Sequence, residues 1–155
     1  MKIAVFSDSH GSSRGMVNAV REYSPDQIIH LGDGSADLRA LEREFPYIPI
    51  CAVSGNCDYD CTEEEYKVIS LCGIKAFVTH GHRYNVRSGV RVLLLAADLN
   101  ECTIAMFGHT HHAGFEQVEG IFVLNPGTVG VGKEKTWAKL EIGPTGEISC
   151  EICNI

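Results

Sequence analysis

Seven side chains able to bind a divalent cation stand in five separate short stretches of the chain: Asp8 with His10, Asp33, Asn56, His80, and His109 with His111. Each stretch follows an apolar run and lies beside glycine, as in Asp8-Ser9-His10-Gly11, Gly32-Asp33-Gly34, Gly55-Asn56, His80-Gly81-His82 and Gly108-His109-Thr110-His111. Taken singly they read plainly, Asp8 and Asp33 as helix caps and Asn56 as a turn former. Five run ends that all carry imidazole, carboxylate or carboxamide ask for a shared cause. A set of carboxylate, imidazole and carboxamide without thiolate suits borderline divalent ions and is too rich in nitrogen for calcium. Manganese is the leading expectation, with nickel, iron, cobalt or zinc the others. Seven ligands exceed one site, and two ions sharing a bridging carboxylate would use them all. Metal pairs about 3.5–4 Å apart are a known device for in-line displacement at phosphorus. Two divalent ions bring four positive charges, of which Asp8, Asp33 and a bridging hydroxide cancel three, so the pocket stays positive.

The elements that must position these groups alternate in type. Lys2–Phe6, Gln27–Leu31 and Ile48–Val53 are short apolar runs that end in the first three polar loops, the pattern of buried strands. Ser13–Tyr23 reads as a helix with Ser13 a candidate N-cap and Pro25 its stop, and Ala36, Leu38 and Leu41 mark a weaker one. Glu65–Leu71 and Ile74–Thr79 flank Cys72-Gly73, a two-residue hairpin turn that leads to His80. Val90, Leu93, Leu94 and Ala97 follow helical spacing, which predicts a helix over Ser88–Leu99, and Thr103–Phe107 is a strand emptying into His109 and His111. From Phe115 short strands alternate with turns at Glu119-Gly120, Asn125-Pro126-Gly127 and Gly143-Pro144. Two packed sheets with helices outside follow from this order. Open α/β sheets bind ligands beyond the carboxyl ends of their strands, so the seven side chains should converge on one edge.

Length and charge limit the function classes. At 155 residues, with 45% hydrophobic and 21% charged residues, the chain is expected to form a single domain over residues 1–155. A net charge of −7 disfavours a large nucleic acid as partner, because a duplex footprint needs a basic stripe. No stretch approaches the roughly 18 apolar residues that span a bilayer, so no membrane is expected, and no secretory signal is visible. Seven cysteines, an odd number, point to reduced thiols in the cytoplasm. Cys150 and Cys153 resemble half a zinc knuckle, but residues three apart on a strand face opposite ways.

In this order, Asp8-x-His10, Gly32-Asp33, Gly55-Asn56, His80-Gly81-His82 and Gly108-His109-x-His111 resemble the motifs of the calcineurin-like metallophosphoesterase superfamily, and most of all its small prokaryotic phosphodiesterase branch. Asn125-Pro126-Gly127-Thr128 resembles a late loop of that branch. The resemblance implies a four-layer α/β/β/α sandwich of two mixed sheets flanked by helices. It assigns Asp8, His10 and His111 to one metal, Asn56, His80 and His109 to the other, and Asp33 as the bridge. It also implies hydrolysis of small phosphodiesters by a bridging hydroxide without a phosphoenzyme, with phosphomonoesters as a side activity. Many members carry histidine after the asparagine, where Cys57 stands here. A thiol can donate a proton but cannot supply a positive charge, so Asn56, Cys57 and His82 are the groups expected to act on phosphate or leaving oxygen, favouring good leaving groups. Arg83 and Arg87 are further candidate substrate contacts, His30 a packed supporting residue and His112 a loop residue. Some relatives on this sandwich, such as the small retromer subunit of eukaryotes, are protein-binding scaffolds, which is the alternative. A third reading is a metal storage or sensing protein. Homo-oligomers are common in the family, and no stretch of this sequence is diagnostic of one.

Overall fold

In β1 (Lys2–Phe6), Ile3 and Val5 enter one apolar cluster while Ala4 and Phe6 enter another. Side chains alternate along a strand, so an unbroken apolar run means that both faces are covered. The same division recurs in β5 (Ile74–Thr79), where Ala76 and Val78 face the first cluster and Phe77 a third, and in β6 (Ile104–Met106), where Ala105 takes the outer side. The shared cluster lies between two five-stranded sheets. The other two lie beneath helices. The computed structural model describes residues 1–59 and 61–155; Asp60 falls outside them.

With β2 (Gln27–His30), β3 (Ile50–Ala52), β9 (Thr136–Ile142) and β10 (Ile148–Asn154), the first sheet has the order β10-β9-β1-β2-β3. Its β1, β2 and β3 are parallel, and β9 and β10 are antiparallel additions. The second sheet adds β4 (Tyr66–Leu71), β7 (Gly114–Val118) and β8 (Ile121–Asn125) in the order β4-β5-β6-β8-β7, with β5, β6 and β8 parallel. Helices α1 (Ser13–Tyr23) and α2 (Leu38–Glu44) cover the first sheet through Met16, Val20 and Leu41, and α3 (Arg91–Leu99) covers the second through Leu93, Leu94 and Ala97. Two mixed sheets flanked by helices is the architecture expected. Among the described residues no helix is long and apolar enough to cross a membrane.

Several boundaries differ from those read off the sequence. β3 begins at Ile50 rather than Ile48 because Pro49 has no N–H to give a ladder; its carbonyl still accepts from Ile28. α3 begins at Arg91 rather than Ser88: Gly89, at φ 129°, separates it from a 3-10 turn over Val86–Ser88. Ser13 lies inside α1, and Ser12 at the cap position makes no side-chain capping bond. Cys72 and Gly73 both take positive φ, at 48° and 88°, as a tight hairpin requires. Asn125-Pro126-Gly127 does not close a hairpin; it starts the passage from β8 in one sheet to β9 in the other. Cys150 packs into the core between the sheets and Cys153 into the outer layer, so the two face apart.

Ile29 is fully buried between the sheets. Ile29→Ala should lower stability by about 2–5 kcal/mol, read as a reduced urea midpoint with unchanged m-value.

Candidate metal centre

Loops leaving β1, β2, β3, β5 and β6 are tied together by backbone hydrogen bonds. Asp8 N–H donates to Gly32 carbonyl (3.0 Å), Val53 N–H to His30 (3.1 Å) and Gly108 N–H to His80 (3.1 Å). The five loops therefore meet at one edge, where all seven expected side chains come together. Asp8 and His80 are wholly buried and Asp33 is 4% exposed, while His10 and Asn56 lie at the surface.

Each carboxylate divides its oxygens between holding and facing. Asp8 Oδ2 accepts from Ser7 Oγ (2.6 Å) and His109 N–H (3.0 Å), leaving Oδ1 3.1 Å from His111 Nε2 and 3.9 Å from His10 Nε2. Asp33 Oδ1 accepts from Cys57 N–H (2.8 Å), and its Oδ2 lies between His10 Nε2 (3.8 Å) and His80 Nε2 (3.5 Å). His80 Nε2 is also 3.2 Å from Asn56 Oδ1 and 3.2 Å from His109 Nδ1.

His80 tests whether these groups fit a cation. Its Nδ1 is 2.7 Å from the Leu31 carbonyl, which can only accept, so Nδ1 carries the hydrogen. In the neutral ring Nε2 is then a bare lone pair that faces Asn56 Oδ1 and His109 Nδ1, with Asp33 Oδ2 3.5 Å away. Acceptor against acceptor is repulsive unless a positive charge lies between them. Among the described residues neither Asp8 nor Asp33 pairs with lysine or arginine, although buried carboxylates need a counter-charge. Donor atoms of Asp8, His10 and His111 lie within 4.8 Å of one another, as do those of Asp8, Asp33 and His80. The residues fit divalent cations.

The backbone is bent to make this possible. Asp8, His10, Asp33, His109 and His111 all have φ between 42° and 66°. Non-glycine residues in this region are uncommon and cost of order 1–3 kcal/mol each; aspartate and histidine are among those that tolerate it. Gly55 and Gly108 allow the loops to close: a Cβ on Gly55 would stand 2.0 Å from Asp33 Oδ1, and one on Gly108 would stand 1.9 Å from Ser7 Oγ.

Several supporting residues carry no signal as isolated positions in the sequence. Asp58 accepts from the backbone N–H groups of Asp33 (2.7 Å), Gly34 (3.0 Å), Ser35 (2.9 Å) and Gly55 (2.9 Å), which together hold its carboxyl below the usual range against its burial. It fastens the Asp33 loop to the Asn56 loop. Its one local hint is its place three residues after Gly55, from which a carboxylate can reach back to that amide as in a capping box. Asn125 donates to the Gly108 carbonyl (3.1 Å) and Thr110 Oγ1 (2.9 Å), and Thr128 Oγ1 donates to the Asp8 carbonyl (2.9 Å). The late loop thus braces the first and last loops of the centre.

His30 is fully buried. Gly32 N–H donates to its Nδ1 (3.2 Å), so Nε2 carries the hydrogen towards Ser9 Oγ (3.3 Å), which donates to Asp37 Oδ2 (2.6 Å). Burial pushes its pKa down to about 4. Cys57 is exposed, with its sulfur within 4.8 Å of donors of His10 and Asp33. Limited desolvation and the bond to Asp33 push its pKa up to about 11. The His82 ring lies 5.5 Å from that of His80 and 6.2 Å from that of His109, and its buried Nδ1 has no partner among the described residues. His112 is an exposed loop residue, as expected.

Residues 1–143 match the model of the calcineurin-like phosphoesterase superfamily domain. The chain is 29% identical over 131 residues to a probable metallophosphoesterase of Mycoplasma pneumoniae, covering 83% of this chain and 79% of the relative. It is 28% identical over 144 residues to a phosphodiesterase of Methanocaldococcus jannaschii, covering 82% and 83%. A predicted phosphoesterase of Streptococcus pneumoniae superposes with a TM-score of 0.77 at 26% identity over 99% of this chain and 97% of that one. Vps29 of Entamoeba histolytica, complexed with zinc, superposes with a TM-score of 0.79 at 20% identity over 99% of both chains and shares the fold.

Asp58→Ala leaves four N–H groups without their acceptor. It should weaken divalent-cation binding roughly 10- to 100-fold in calorimetry, with the fold retained by circular dichroism. His30 makes stability acid-sensitive: its folded pKa lies below the unfolded 6.5, so the stabilisation is complete above that value and falls as pH drops towards 4. The loss should reach about 3 kcal/mol, and urea midpoints across this range should decline less steeply for His30→Asn.

Proposed function

The chain belongs to the calcineurin-like phosphoesterase superfamily, and from that premise we propose that it hydrolyses small phosphodiesters at a pair of divalent cations held by the seven converging side chains. Asp8, His10 and His111 hold one ion, Asn56, His80 and His109 the other, and Asp33, its free oxygen between His10 and His80, serves both. The facing lone pairs at His80 are the observation that carries the reading. When bound, the ions polarise phosphate oxygens and supply a nucleophilic water-derived oxygen at neutral pH.

The chain's own residues set the rest. Carboxylates anchored through one oxygen, and the His80 imidazole anchored to the Leu31 carbonyl, keep those donors fixed, so little reorganisation is needed when substrate arrives. Leu31 holds His80 in the tautomer that presents Nε2. Asn56, Cys57 and His82 border the phosphate position. As a thiol, Cys57 can donate to a departing oxygen and brings no positive charge. Diesters with good leaving groups, aryl esters or strained cyclic diesters, are accordingly the better substrates, with phosphomonoesters a side activity. The seven free cysteines support a cytoplasmic location.

Manganese-loaded protein should hydrolyse an aryl phosphodiester, and chelator should abolish turnover. Asp33→Asn and His109→Ala should each lower kcat/KM by about 100-fold or more, on the scale of removing a group that stabilises transition-state charge. Cys57→His should flatten the dependence of rate on leaving-group pKa. Two bound ions with no turnover of any diester would favour the protein-binding scaffold instead.

A further inference from the structure

Two clefts border the candidate centre, and they differ in character. One, of about 540 Å³, begins at His109 and His111 and is lined by Val86, Val90, Phe107 and Val123, with Glu116 and Asn125 among its polar groups. The other, of about 670 Å³, begins at His10, Asp33 and Cys57 and is rimmed by Asp37, Glu42, Asp58 and Glu63 against Arg39. Both volumes suit a small-molecule arm rather than a polymer. Its several carboxylates, against Glu116 alone in the first, make the second cleft the poorer seat for an apolar, electron-rich ring. The first joins apolar walls directly to the two histidines of the last metal-binding loop.

The two arginines offered by the sequence separate here. Arg83 is held by Glu65 through Nε (3.0 Å) and Nη2 (2.8 Å). Arg87 pairs with no carboxylate among the described residues and lines the apolar cleft, on the same 3-10 turn that buries Val86 in its wall. A guanidinium there can lie over an aromatic face or donate to ring acceptors.

We propose that this cleft takes an aromatic or heteroaromatic ester arm of the substrate, with the ring against Val86, Val90, Phe107 and Val123 and Arg87 at its edge or face. The inference rests on the phosphodiesterase reading and narrows it to small diesters carrying a planar ring on one arm. Val90, half-buried, and Arg87, exposed, are the specificity-determining residues that can be changed with least disturbance to the core.

Calorimetry with phenylphosphonate and methylphosphonate on the manganese-loaded protein tests the assignment without turnover. Burial of most of a phenyl ring should make the first bind roughly 10-fold tighter or more. Val90→Asp and Arg87→Ala should each reduce that ratio, and Arg87→Ala, at the surface, keeps the test valid should Val90→Asp fail to fold. Equal affinities in the unaltered protein, or a ratio untouched by either folded variant, would overturn the cleft assignment while leaving the phosphoesterase reading intact. Binding of neither probe to metal-loaded protein would instead sink that reading, and this inference with it.

Discussion

Two carboxylates buried at the meeting point of two sheets, with no lysine or arginine opposite them among the described residues, are the constraint on which the rest of the structure depends. An uncompensated buried charge costs several kcal/mol, more than a protein of ordinary stability can absorb twice. Protein groups relieve part of it: one oxygen of Asp8 is satisfied by Ser7 and the His109 amide, and one of Asp33 by the Cys57 amide. The remaining oxygens face imidazoles and each other's surroundings. On the proposed reading divalent ions are the missing charge, so the same interaction that completes the fold at this edge also creates the reactive centre.

The scaffold is arranged to tolerate that edge before the charge arrives. Parallel strands β1, β2 and β3 in one sheet and β5 and β6 in the other end side by side, and their loops are joined by backbone hydrogen bonds and by carboxylates that accept from backbone amides. Asp58 gathers four amides from two loops, while Asp37 draws in Ser9 and the Gly11 amide. These carboxylates are held by N–H groups and a hydroxyl, so they hold geometry without competing for cations. Rigidity therefore comes from the loops' backbones and the cores behind them, and the donor side chains are left free to face inward.

Much of this was legible in the sequence, for identifiable reasons. Strands such as Lys2–Phe6 and Ile74–Thr79 show as apolar runs because both faces are buried, and the Cys72-Gly73 and Glu119-Gly120 turns show through the glycine of each, which accepts positive φ. The donor set was visible because histidine, aspartate and asparagine recur beside glycine at five strand ends, although each alone could be a cap or a turn former. What stayed hidden depends on distant neighbours. The four-amide grip of Asp58, the bracing by Asn125 and Thr128, and the division of Arg83 from Arg87 are tertiary facts that local pattern does not encode. Helix and strand starts were misplaced where one residue, Pro49 or Gly89, removes a donor or turns the chain.

The left-handed backbone at Asp8, His10, Asp33, His109 and His111 constrains how such a protein can drift. Were selection on hydrolysis to lapse, valine or isoleucine could not settle at those positions without rebuilding the loops, whereas asparagine or glycine could. A descendant that had lost its chemistry would thus keep the loop conformations and show amide or bare backbone in place of imidazole. The shape of the centre would outlive its use, ready to be borrowed as a recognition surface.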